Sequence, residues 1–429
     1  MAEKATWMGD RADAEKVSAW NHPDFLKLWI GQSVSLIGSR ISEIAIPLTA
    51  VLTLQASPAQ IGLLGAAEPA AWLLFGLFAG VSADRLRRRP IMIAADLGRA
   101  ILLLVIPLAA ILGVLHMEML YVVSFVTGLL GVFFVVAYQS YLPTLVRQDA
   151  LLARNGNLEA SKSIAEIAGP GIAGTLVQVF TAPVAVLADA VSFLFSALLL
   201  ASIRVTEEIP SWPKKSSDIW PEIVEGVRFT FGHPVLRSLT LFMGAANLFV
   251  TAGMTLYPLY TVREIGISPE VFGFILAGGS GAALVGAMVS NSAVRRFGLG
   301  NAVLVAAFSA GASFLLIPMA EGTGLLVVPI LAFSQAVFAF AITMANVNVI
   351  TLYQVTTPER MLGRVNATQR MVIYGTPLIG ALLGGLFGEV FGSRITLVMA
   401  SGGQIAAAMW LSFSPVRELR ELPDRRHAD

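Results

Sequence analysis

The sequence predicts an all-α membrane protein of twelve transmembrane helices in two pseudo-symmetric six-helix bundles, and three observations carry that prediction. Hydrophobic residues make up 56% of the 429-residue chain and charged residues only 13%, against roughly 45–50% and 25% in soluble domains. The mean hydropathy is +0.74. Apolar runs of about 20 residues or more, the length a helix needs to cross a hydrocarbon core, recur from end to end between short turns. One polar segment, 204–235, interrupts the series at its middle and leaves six runs on each side.

A mixed-charge tail, 1–24, comes first, read as cytoplasmic, with Trp7, Val17 and Trp20 suited to an interfacial helix. No cleaved leader is read, because the run that follows is longer than a signal-peptide core. The first bundle, 25–203, is expected to hold spans at 25–54, 58–83, 90–113, 119–146, 156–181 and 183–203. The linker carries Pro210, Pro213, Lys214 and Lys215 and ends in an amphipathic stretch through Gly232. The second bundle, 236–413, follows with spans at 236–262, 269–294, 301–320, 325–356, 361–390 and 395–413, and 414–429 is a charged tail.

Positive residues in short loops set orientation, because they are retained on the cytoplasmic side. Arg85 to Arg89, Arg147 and Arg154, Lys214 and Lys215, Arg295 and Arg296, and Arg360 and Arg364 all fall in loops on one side. On the other side Arg263 and Arg394 are the exceptions. Both termini are therefore expected in the cytoplasm, with the chain in the inner membrane.

Composition also excludes classes of function. A formal net charge of +1 argues against a nucleic-acid partner, and zero Cys removes disulfides and thiolate metal sites. His116 is alone in an outer loop, no His or carboxylate cluster has metal-ligand spacing, and no glycine-rich phosphate loop precedes a Lys. The chain reads as no enzyme and as needing no cofactor; an ion gradient, here protons, is its expected energy source.

Two stretches carry a family resemblance. Gly80-Val-Ser-Ala-Asp84-Arg85-Leu-Arg87-Arg88-Arg89 resembles the signature loop between spans two and three of the major facilitator superfamily, with Arg87 where that family more often has Gly. Gly156, Gly169, Pro170 and Gly174 in span five resemble the superfamily's antiporter motif, with Ala165 and Ala173 in place of two glycines. Small residues let helix backbones approach, and Pro loosens a turn so that the helix can bend; plain helix packing is the alternative reading. Asp96 and Arg99, Arg154 and Asn157, Asp189 with Ser192-Phe193-Leu194, and Gly363-Arg364-Val365-Asn366 extend the resemblance to the subgroup of macrolide-efflux and enterobactin-exporter proteins. That resemblance implies the two-bundle transporter fold, export, and a cavity lined by spans one, two, four, five, seven, eight, ten and eleven. Gly169-Pro170-Gly171-Ile172-Ala173-Gly174 and Thr376-Pro377-Leu378-Ile379-Gly380-Ala381 sit at matching places in the two halves, as internal repeats require.

Charges inside spans cost a few kcal/mol each on insertion scales and are functional candidates by default. Arg40 and Glu43 lie one helical turn apart in span one and can pair. Glu68 in span two falls about 15 Å from the outer end at 1.5 Å per residue, close to the depth of Glu43. The two are candidates to carry a coupling proton; the alternative is that Arg40 only neutralises Glu43 in a structural pair. Glu166, just ahead of Gly169, is a third cavity candidate. Asp189 is read as structurally paired, and Asp96 with Arg99 as a cytoplasmic latch joined to Asp84-Arg85, so that Gly80, Asp84, Arg85, Arg88, Arg89, Asp96 and Arg99 make a gate. Gln139, Asn247, Gln335, Asn346 and Tyr374 are the candidates for cargo contact. The resulting expectation is a monomeric carrier that expels a lipophilic or amphipathic small molecule, of drug, antibiotic or siderophore type, from the bilayer-embedded chain in exchange for protons. An importer of the same fold, and a non-transporting receptor, are the alternatives.

Overall fold

In a computed structural model of the chain, residues 23–146, 150–204, 219–322 and 324–419 are described, without side chains at 77, 80–85, 219–223 and 359. The N-terminal tail and most of the charged C-terminal tail expected from the sequence lie outside these residues. Every described regular element is a helix.

The first set comprises α1 (Pro23–Leu48), α2 (Pro58–Arg85), α3 (Arg88–Ile111), α4 (Met117–Leu145), α5 (Leu151–Val179) and α6 (Leu187–Ala201), the last preceded by a single turn at Ala182–Ala185. After the linker helix α7 (Ile219–Gly232) come α8 (Pro234–Pro258), α9 (Pro269–Phe297), α10 (Leu299–Phe314), α11 (Val327–Thr356), α12 (Leu362–Phe391) and α13 (Ser393–Ser412). Among the described residues, ten of the helical stretches are long and apolar enough to cross a membrane. The chain is a multi-pass membrane protein. Helices α2 and α5, at 28 and 29 residues, are as long as the others; α5 is less apolar because Arg154, Glu159, Lys162 and Glu166 lie on it. It also begins at Leu151, before the expected start at residue 156.

Two helices end in the same unusual way. After Pro47, α1 passes into a π-helical turn at Thr49–Thr53, and α8 ends at Pro258 and passes into another at Leu259–Glu264. Proline removes one backbone donor and crowds the preceding turn, so a widened turn relieves it. The matching positions of these turns add a second trace of the internal repeat noted in the sequence.

Packing follows chain order. Helix α1 packs on α5 and α6, α2 on α4, and α3 on α4 and α6; α8 packs on α12 and α13, α9 on α11, and α10 on α11 and α13. The extensive contacts joining the two sets are α2 with α12 and α5 with α9. The distribution of apolar core shows how those sets meet. At the end distant from the termini one continuous cluster draws on both, from Leu48, Val51 and Ile61 to Leu256, Phe272 and Phe314. At the end bearing the termini the core divides. Phe25, Met92, Tyr141 and Leu200 form one cluster and Leu236, Val303, Leu352 and Leu411 another. The helices are joined at one end and splayed at the other.

Candidate functional site

The splay encloses a cavity of about 1200 Å³ at the centre of the molecule, reaching from Pro47, Tyr257 and Phe272 at the sealed end to Gln32, Glu159 and Ala287 toward the open end. Glycines make the seal possible. A Cβ on Gly62 of α2 would stand 2.5 Å from the Cα of Gly385 on α12, and one on Gly174 of α5 would meet the Cα of Gly273 on α9 at 3.0 Å. Only glycine permits such backbone approach. Across the same end the Ala59 amide donates to Glu389 Oε2, 3.1 Å away, and Arg263 donates to the Ala56 carbonyl at 2.8 Å.

Charged side chains stand on the cavity wall in two groups. On α1, Arg40 Nη1 donates to Glu43 Oε2 at 2.7 Å, while its Nη2 reaches Glu166 Oε1 on α5 at 3.1 Å. Helix spacing brings Arg40 and Glu43 together, and the contact with α5 adds the third member. Gly169 makes room for it, because a Cβ there would fall 2.5 Å from that of Arg40. Glu68 lines the same wall within electrostatic range of Glu43, Arg40 and Arg99, and it is exposed to the cavity. Glu43 and Glu68 are thus near enough to interact, and both face the open cavity.

The second group is dry. Arg99 on α3 pairs with Asp96, which is fully buried, and its guanidinium lies 4.6 Å from the ring centre of Phe134 on α4 and 4.0 Å from that of Phe193 on α6. Asp189, also buried, lies within electrostatic range of Arg99 and accepts a hydrogen bond from the Ser192 hydroxyl. Arg99 and Asp189 both border the cavity. At eleven residues into α3, Arg99 stands about 16 Å from the helix start at 1.5 Å per residue, well inside the span rather than near its cytoplasmic end. Of the loop itself, Gly80, Asp84 and Arg85 have side chains outside the described residues. Arg88 is half-buried, and Arg89 donates to the carbonyls of Leu200 and Ala201, tying α3 to the end of α6.

The cargo candidates divide. Gln335 and Tyr374 line the cavity, Tyr374 stacked on Trp72 with ring centres 4.8 Å apart. Gln139, Asn247 and Asn346 are not on its wall. In the antiporter-like string Gly169, Pro170 and Gly174 sit at helix crossings or on the cavity, whereas a Cβ on Gly156 would meet nothing within 4 Å. The sequence reading missed Trp72 and the cavity position of Asp189; the four-residue spacing of Glu68 and Trp72 is the signal that places Trp72 on the same face.

Long apolar helices around a largely apolar cavity that carries charged side chains on its wall and is open at one end define a membrane carrier, and the comparisons with known proteins specify its kind. Residues 15–427 match the family described as transmembrane secretion effector. The chain belongs to that family, within the major facilitator superfamily. It is 26% identical to the multidrug efflux pump Tap of Mycolicibacterium fortuitum, over 90% of this chain and 93% of that one. Identity to the enterobactin exporter EntS of Escherichia coli O1:K1 / APEC is 25%, over 94% of each, and to macrolide efflux protein A of Streptococcus pyogenes 27%, over 59% and 62%. Among solved structures the nucleoside transporter NupG superposes with a TM-score of 0.73 at 12% identity, covering 90% of this chain and 98% of that one. That likeness shows a shared fold.

Proposed function

We propose that this protein expels a lipophilic or amphipathic small molecule across the inner membrane in exchange for protons. The observation carrying this reading is a central cavity that is closed at one end by a shared core, open at the other, and bordered by the Arg40–Glu43–Glu166 network and Glu68. The names of Tap, macrolide efflux protein A and EntS favour the outward direction. Twelve spans in two six-helix bundles, with α2 and α5 completing the set, rock about the cavity, and the open end faces the cytoplasm with both termini. Such a carrier is complete as a monomer.

In the proposed cycle cargo enters from the cytoplasm, and closure of that end expels water from the carboxylates. Glu43 or Glu68 holds a proton in one half of the cycle and releases it in the other, while Arg40 exchanges between Glu43 and Glu166. The loop from Gly80 to Arg89 latches the cytoplasmic end. The test is flux of a fluorescent amphipath in proteoliposomes with an imposed pH gradient. Glu43→Gln or Glu68→Gln is expected to remove the gradient-driven component; full coupling in both single variants would sink the assignment.

A further inference from the structure

The charges on the cavity wall do not balance. Glu43, Glu68, Glu159, Glu166 and Asp189 line it, against Arg40 and Arg99. Arg40 is already shared by Glu43 and Glu166, Arg99 is taken by Asp96, and Lys162 stands 3.3 Å from Glu159. Among the described residues no cation comes within ion-pair distance of Glu68, although it faces the open cavity.

The surroundings of Glu68 have a chemistry of their own. Trp72 lies four residues on, on the same face of α2, and its indole stacks within 7° of parallel on the Tyr374 ring, both rings bordering the cavity. A carboxylate next to a rigid aromatic face is the combination that recognises an organic ammonium or phosphonium: the ring quadrupole attracts the cation, and the carboxylate supplies the compensating charge. Gly128 of α4 packs against Glu68, a Cβ there meeting its Cα and Cγ at 3.2 Å, which fixes where the glutamate is presented.

We propose that Glu68, Trp72 and Tyr374 form a binding site for the positively charged end of an amphipathic organic cation, so that cations are the favoured cargo over anions of the same shape. The site rests on the reading of this cavity as a cargo site. It gives a role to the aromatic pair that borders the cavity beside a carboxylate with no ion-pair partner among the described residues.

Equilibrium binding of tetraphenylphosphonium and of its anionic isostere tetraphenylborate, measured on the full-length protein in nanodiscs with empty nanodiscs as blank, tests it. The wild-type protein is expected to bind the cation at least about tenfold more tightly than the anion. Glu68→Gln is expected to remove about tenfold of the cation affinity, Glu68→Asp less, and Trp72→Leu about threefold, with the anion unaffected. Equal or tighter binding of tetraphenylborate, no saturable binding of tetraphenylphosphonium, or a cation preference unchanged in well-folded Glu68→Gln overturns the proposal. The wild-type preference is independent of how any variant folds. A protein that shows this pattern yet moves no cation in a pH gradient sinks the antiport reading and leaves the site standing; one that pumps neutral or anionic amphipaths without cation preference does the reverse.

Discussion

Arg40 and Arg99 both border the cavity, yet their settings are opposite. The Arg40 side chain is 33% exposed, and its partners Glu43 and Glu166 are 60% and 40% exposed. Arg99 is 11% exposed, Asp96 is fully buried, and two phenyl rings enclose the guanidinium. A solvated ion pair is worth about 0–1 kcal/mol and can be exchanged at little cost. Removing one partner of a buried pair costs about 3–5 kcal/mol, because a charge is left without compensation. The first arrangement suits a switch that must be made and broken in every cycle, and the second suits a fixed strut holding α3, α4 and α6 in register.

That contrast is open to direct attack. The largest effect is expected from Arg99→Leu, which strands Asp96 and should lower thermal stability in detergent by about 3–5 kcal/mol or abolish folded yield; Asp96→Leu with Arg99→Leu should recover much of the loss. Unchanged melting of the single variant would refute the strut. Next is Arg40→Gln, expected to cut gradient-driven flux about tenfold or more while moving stability by about 1 kcal/mol at most. A large fall in melting temperature there would show that Arg40 is structural as well. Gly169→Val should mimic part of that phenotype, since its branched side chain enters the space held by Arg40; intact flux would break the link between the motif glycine and the network. The smallest effect is expected from Glu166→Gln, because Glu43 still holds Arg40: flux should fall about two- to fivefold with stability within about 0.5 kcal/mol.

Much of the fold was legible because a bilayer demands long apolar helices and leaves few other solutions. Residue-level placement was legible only where it depended on local geometry. Arg40 and Glu43 pair through helix spacing alone, and the nearness of Glu68 to them agrees with counting along α1 and α2. Asn247, Gln139 and Asn346 were harder, because spans that are apolar on nearly every side do not reveal which face turns inward. The setting of Arg99 was beyond reach for a different reason: its rings come from α4 and α6, and no periodicity in α3 announces neighbours that distant in the chain. Its sequence nearness to the Asp84 loop suggested a latch, whereas about 16 Å of helix separates Arg99 from the start of α3.

The glycine crossings at the sealed end offer a handle for trapping. Closure there depends on Gly62 lying against Gly385 and Gly174 against Gly273, backbone on backbone, with no side chain able to swing aside. A leucine at position 385 would act as a wedge, leaving the helices intact while forbidding the state in which they touch. Such a protein would be held with its far side ajar, a sample suited to imaging the half of the proposed cycle that this conformation does not display.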